Sequence, residues 1–199
     1  MSKKLIVLGS TSTFRAQLLS RLKLPYITVR PETDEAARPN ETPAQTALRL
    51  SIEKAANVTV SVAKNLPEAL IIGSDQVADF AGTHIGKPHT REAAREQLRS
   101  FRGREMIFHS AMTLQNSATG NVQSCVVPTT VRYRNVSDAA IEAYLDQEDA
   151  LNCAGSAKSE GLGIALMASM TSDDPSALIG LPLIALVTML EAEGVMVLA

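Results

Sequence analysis

Carboxylates, cations and hydroxyls recur along this chain in short clusters beside apolar runs, and together they suit a polyanionic ligand. Gly9-Ser10-Thr11-Ser12-Thr13 follows the strand-like run Lys4-Leu5-Ile6-Val7-Leu8 and precedes Arg15, while Phe14, Leu18, Leu19 and Leu22 recur at helical spacing. A helix N-terminus offers unpaired N–H groups and a positive dipole end. Hydroxyls and a guanidinium placed there, at Ser10, Ser12 and Arg15, make a phosphate cradle. The plainer reading is that Ser12 or Thr13 only caps the helix. Gly73-Ser74-Asp75-Gln76 follows directly on the buried strand Leu70-Ile71-Ile72-Gly73. Ligands of open α/β sheets gather at the carboxyl ends of strands, where Asp75 could take a proton from water, bind a metal, or do both. Its alternative is a turn aspartate bonded to its own backbone.

Gly86-Lys87-Pro88 sets a compact charge in a stiff, closely approaching turn, unless Lys87 is simply a solvated hairpin lysine. The loop Cys153–Gly163 gathers glycines and small residues around Lys158 and Glu160, without Walker or G-x-G-x-x-G spacing. Cys153 has no histidine nearby in sequence and reads as a small buried thiol rather than a nucleophile. Asp34-Glu35 ends the strand that begins near Tyr26, and Glu53-Lys54 lies on the second helix. Carboxylates at Glu35 and Asp75 with cations at Arg15, Lys54, Lys87 and Lys158 match a metal-bound triphosphate: the cations hold oxyanions, the carboxylates hold Mg²⁺ and orient water.

The elements that must position these groups follow from pattern. Tyr26–Val29 reads as a strand leading into a polar loop, 31–41. Thr42-Pro43-Ala44-Gln45 combines a capping box with proline at the first helical position, and Leu48, Ile52 and Ala55 form the apolar face of the helix it starts, with Glu53 and Lys54 off that stripe. Gln76 to Ile85 looks like a hairpin turning at Ala81-Gly82. Thr90 caps a helix with Ala94, Leu98 and Phe101 inward; Met106–Leu114 and Ser124–Tyr133 are longer strands joined by a turn from Asn116 to Asn121. Val136 and Ile141 staple a helix capped by Ser137, and a last helix, from about Pro182 to Glu193, ends at Gly194 before a strand, Val195–Leu198. Helices alternate with strands first and adjacent strands dominate the middle, so an α/β fold with a mixed sheet is expected.

At 199 residues, 45% apolar and 20% charged, the chain suits one globular domain with a sizeable core, or two closely joined lobes. A net charge of −2 without a long basic run speaks against strong nucleic-acid binding. Two distant cysteines, Cys125 and Cys153, and no recognisable signal peptide suggest a cytoplasmic protein. Leu178–Leu190, interrupted by Gly180 and Pro182, reads as a buried helix rather than a membrane span, and His84, His89 and His109 lack paired metal-ligand spacing.

Taken in order, Ser10-Thr11-Ser12-Thr13-Phe14-Arg15, Asp34-Glu35, Glu53-Lys54-Ala55 and Gly86-Lys87-Pro88 resemble the Maf family of nucleotide pyrophosphatases over nearly the whole chain. Gly73-Ser74-Asp75-Gln76-Val77 and Ala154-Gly155-Ser156-Ala157-Lys158-Ser159-Glu160-Gly161 resemble its 7-methyl-GTP branch rather than its dTTP/UTP branch. The resemblance implies an elongated mixed sheet flanked by helices, with two lobes and a central cleft, similar to inosine triphosphatase and often a homodimer. It also implies divalent-metal-dependent cleavage (Mg²⁺ or Mn²⁺) of a nucleoside triphosphate to monophosphate and pyrophosphate. Asp75 matches the family's general base; Glu35, Lys54 and Lys87 join it as catalytic residues, with Asp75 and Glu35 on the metal. Phe14, Gln76 and Glu160 match positions where the branches differ, and Ser10, Ser12, Arg15 and Lys158 complete the substrate site. Thr13, Ala16, Arg102 and Ser110-Ala111 depart from the family pattern, and Phe14 stands where this branch carries tryptophan. Two alternatives remain: a pyrophosphatase for other canonical or modified nucleotides, including dTTP and UTP, and a nucleotide-binding cell-division regulator with little turnover.

Overall fold

Hydrophobic patterning sets the order of elements, and one long strand sets the site. The computed structural model describes residues 4–63 and 65–198. The strands are β1 (Leu5–Gly9), β2 (Tyr26–Val29), β3 (Ala69–Phe80), β4 (Thr83–Ile85), β5 (Glu105–Asn116), β6 (Val122–Tyr133) and β7 (Met167–Thr171); the helices are α1 (Thr13–Ser20), α2 (Pro43–Val62), α3 (Arg91–Phe101), α4 (Asp138–Gln147) and α5 (Leu183–Ala192). They form the expected mixed α/β fold, a sheet ordered β2-β1-β3-β5-β6-β7 with β4 added to β3.

β1 lies parallel to both β2 and β3, whereas β3, β5, β6 and β7 pair antiparallel. β5 covers one edge of β3 from Leu70 to Asp79. The other edge is shared: β1 pairs from Ala69 to Gly73, and β4 pairs from Ala78 to Phe80. Ser74, Asp75, Gln76 and Val77 therefore lie in a gap between two partner strands. The carboxyl end of β1 opens onto the gap from one side and that of β4 from the other, so Ser10 and Lys87 approach it from opposite directions.

Apolar burial splits along the long strands. Beyond the gap, Ala78, Phe108, Val131 and Tyr133 pack with Ala94, Leu98 and Phe101 of α3 and Ile141 and Tyr144 of α4. Before it, Ile6, Leu8, Leu70, Ile72 and Leu114 pack on α1 and α5, while Val7 and Ile71 pack on the opposite face against Ala55 and Val58 of α2.

Four expectations need correction. Gly73-Ser74-Asp75-Gln76 is not a post-strand turn but the middle of β3, because β5 continues the ladder past it. Asp34-Glu35 does not end β2, which stops at Val29; the pair lies in the following loop. The inward face of α2 is rotated: Leu50, Ser51, Lys54 and Ala55 are buried, whereas Ile52 is 39% exposed. Val195–Leu198 forms no strand; Val195 and Val197 pack on the α1/α5 cluster, and the last strand is β7.

Candidate functional site

The centre of the gap is an ammonium held between two carboxylates. Lys54, 4% exposed, places Nζ 2.6 Å from Asp75 Oδ1 and 2.6 Å from Glu35 Oε1. It reaches β3 because Gly73 lets α2 come close: a Cβ there would collide with Ser51 O and lie 2.6 Å from Ala55 N. Glu35 arrives from the opposite wall on the loop after β2. Arg49 of α2 fixes that loop, donating to Ala36 O at 2.9 Å and gripping Glu41 through Nε and Nη2 at 2.5 and 2.8 Å. The Arg49 bond draws the Glu41 carboxyl down to about 2. The Glu35 carboxyl is also held below its ordinary range. The hydrogen bond from Lys54 is the chief cause; partial burial opposes it, and the charges of Lys54, Lys87 and Arg15 reinforce it.

Cations and hydroxyls surround this centre. Ser12 caps α1, its Oγ accepting from Arg15 N at 3.4 Å, so the capping reading holds while Ser12 also lines the cavity. Ser10 Oγ accepts from Ser12 N at 3.1 Å and from Arg15 Nη1 at 3.5 Å. Arg15 Nε donates to Gly180 O at 3.0 Å; burial pulls its pKa down, and Asp75 and Glu35 oppose that. Lys87 is exposed on the β4 side, with no hydrogen bond or ion pair to the described residues.

The third wall is a loop that sequence reasoning missed. Asp174, 3% exposed, accepts from Ser176 N at 2.9 Å and from Ile184 N at 2.7 Å, folding 174–184 onto itself. The loop then offers its carbonyls to the sheet: Gly180 O to Ser74 Oγ at 2.9 Å, and Ala177 O and Leu178 O to Gln76 Nε2 at 3.1 and 2.9 Å. The signal was present in Asp174-Pro175-Ser176, a sequence suited to a turn in which aspartate bonds the backbone two residues on. Arg30, just beyond β2, also lines the cavity and was missed; a lone exposed arginine in a loop carries no pattern.

Phe14 and Glu160 line the same cavity. Phe14 belongs to none of the buried apolar clusters, so it is a wall residue rather than a core residue. Glu160 is exposed and accepts from Ser159 Oγ at 3.2 Å. Lys158 also lines the cavity, but its ammonium lies 3.1 Å from Glu148, a partner that pattern alone did not suggest. Burial pushes the Cys153 thiol up, and Glu160 adds to the effect, which suits an inert thiol.

The cavity measures about 990 Å³, ample for a nucleotide with its phosphates. Glu35 and Asp75 supply two hard oxygen donors of the kind Mg²⁺ and Mn²⁺ take. Among the described residues no cluster of three or more His, Cys, Asp or Glu is close enough to hold a metal, so water or phosphate oxygens would have to complete the coordination of an ion held by this pair. No helix among the described residues is long and apolar enough to cross a membrane.

Hydroxyls, three cations and paired carboxylates line one cleft at a break in the mixed sheet of this α/β protein. The chain belongs to the Maf-like protein family, which matches residues 5–193. It is 52% identical over 191 residues to a 7-methyl-GTP pyrophosphatase of Aromatoleum aromaticum, covering 96% of each chain. A 7-methyl-GTP pyrophosphatase of Thiobacillus denitrificans is 53% identical over 193 residues, covering 97% of this chain and 94% of the relative. Among solved structures, the Staphylococcus aureus Ham1 protein aligns with 66% of this chain and 73% of its own at a TM-score of 0.43 and 16% identity.

Proposed function

We propose that the protein is a nucleoside triphosphate pyrophosphatase that hydrolyses 7-methyl-GTP to 7-methyl-GMP and pyrophosphate. The observation that carries this reading is the Asp75–Lys54–Glu35 cluster, with both ion pairs at 2.6 Å, facing Arg15 and Lys87 across one cavity. Lys54 engages Asp75 Oδ1, and Oδ2 has no hydrogen bond to the described residues. Asp75 accepts the proton of the water that attacks the α-phosphorus, as the bond to the oxygen bridging the α- and β-phosphates breaks. Arg15 and Lys87 hold the phosphate oxygens and steady the charge that passes to pyrophosphate. Glu35 and Asp75 would hold a divalent cation, which would neutralise charge on the triphosphate. The free Cys125 and Cys153 suit a reducing cytoplasm.

Methylation at N7 leaves guanine positively charged at neutral pH, so a preference for it calls for an aromatic face or a carboxylate. Phe14 and Glu160 supply one of each, with cation–π contact worth roughly 0.5–2 kcal/mol. Pyrophosphate release across a nucleotide panel should be fastest with 7-methyl-GTP, be abolished by EDTA and return with Mg²⁺ or Mn²⁺. Glu160→Gln should narrow the preference. Faster cleavage of dTTP or UTP would refute the substrate assignment.

A further inference from the structure

We propose that Lys158 and Glu148 form a latch that positions the loop carrying Glu160, making both positioning residues for base discrimination and leaving the phosphates to Arg15 and Lys87. The proposal rests on Glu160 as the carboxylate that meets the base.

Glu148 caps the C-terminus of α4, its N–H bonded to Tyr144 O at 2.9 Å, and its side chain is only 15% exposed. One carboxylate grips the loop on both sides of Glu160: Oε1 accepts from Lys158 Nζ at 3.1 Å and Oε2 from Leu162 N at 2.9 Å. Lys158 is fixed a second time, its backbone N–H donating to Tyr144 Oη at 3.2 Å. Between these anchors the chain turns, with Gly161 N bonded to Lys158 O at 3.0 Å. Two of the three glycines in the loop 153–163, Gly161 and Gly163, are needed by the latch itself. A Cβ on Gly161 would run into Glu148 Oε2, and one on Gly163 would lie 2.5 Å from Lys158 N and 2.6 Å from Lys158 O.

Among the described residues Glu160 has no anchor of its own beyond the neighbouring Ser159 hydroxyl. Its position is therefore set by the turn, and the turn is set by Glu148. The contrast with Lys87 supports the division of labour: Lys87 has no partner among the described residues, whereas the Lys158 ammonium already has its charge met by Glu148. Glu148 also raises the Lys158 pKa, consistent with a settled pair.

The test compares kcat/KM for 7-methyl-GTP and GTP in Glu148→Ala, Lys158→Met and the double variant, with melting curves as a check on folding. Each single change should reduce the 7-methyl-GTP/GTP ratio by about tenfold, the low end of what one charge-assisted contact contributes. The loss should fall on KM for the methylated nucleotide, and Glu148→Ala should leave cleavage of GTP near wild type. The double variant should show no further loss, because both changes open one latch. Glu148→Gln, which keeps an acceptor for Leu162 N, should fall in between and serves if Glu148→Ala does not fold. A uniform loss on both nucleotides from Lys158→Met, with Glu148→Ala and Glu148→Gln at the wild-type ratio, would return Lys158 to the phosphates and overturn the proposal. So would additive losses in the double variant. Failure of the substrate reading shows separately, in the wild type alone, as no preference for the methylated base; the ratio is then formed with whichever base the wild type prefers.

Discussion

At the scale of single residues, Lys54 is the group on which the cleft depends. An ammonium 4% exposed is costly to bury unless its charge is met, and two carboxylates at 2.6 Å meet it. The arrangement leaves one excess negative charge, which a triphosphate would oppose unless cations compensate; Arg15 and Lys87 line the cavity where they can. Asp75 is the member in the sheet, held by its β5 ladder partner on one edge and open to the gap on the other, while Glu35 sits on a loop with its side chain 64% exposed. Asp75→Asn keeps shape and removes charge and basicity, so turnover should fall by at least about 10²-fold, as expected for loss of a general base. Steady-state pyrophosphate release by the folded variant measures this, and turnover near wild type would remove Asp75 from the mechanism.

At the scale of elements, the close contact of α2 with β3 keeps Lys54 on Asp75. A methyl group at Gly73 would strike Ser51 O and approach Ala55 N to 2.6 Å, both backbone atoms, so the helix must retreat. Gly73→Ala should therefore cost about 1–3 kcal/mol in denaturant unfolding, the usual range for overpacking. It should also lower activity in protein that is still folded, because Lys54 lies between Ser51 and Ala55 on the retreating helix. An unchanged midpoint with full activity would show that α2 tolerates the shift. The same contact explains what the sequence concealed. The capping box of α2 was legible in Thr42 and Gln45, whose reciprocal bonds are present, and the inward Ala94, Leu98 and Phe101 of α3 were legible from spacing. The face of α2 was not, since counting apolar residues favours Ile52 over a lysine that is buried by its carboxylates. β7 escaped notice for a related reason: Met167 is buried but the next four residues are exposed, so there is no alternation to read. The charged clusters at Arg15, Lys54, Asp75 and Lys87 were visible as types and spacing, but the break between β1 and β4 that gathers them depends on pairing distant in sequence.

At the scale of the whole molecule, acid should loosen the end of the fold that bears the latch before it disturbs neutral-pH behaviour. α3 docks on α4 through Arg91 and Arg95 on Glu142, and through Arg99 and Arg102 on Asp138. The Arg95 bond, then the Arg91 bond, draws Glu142 down to about 2, and Arg102 with Arg99 lowers Asp138. Carboxyls depressed in the folded state bind protons more readily in the unfolded chain. Their contribution is fully present above the ordinary glutamate value of 4.5 and is lost as pH falls from there toward about 2. The melting temperature should accordingly hold between pH 7 and 5, as far as these groups are concerned, and fall below about 4.5. Glu142→Gln should melt lower at neutral pH and show a shallower acid slope, and added salt should shrink both differences because the pairs are partly exposed. Since Glu148 directly follows α4 as its cap, base selectivity should weaken with this docking, through movement of the latch rather than of Asp75. A Glu142→Gln slope identical to wild type would assign the acid sensitivity to other carboxyls, with Glu41, held down to about 2 by Arg49, the next to replace.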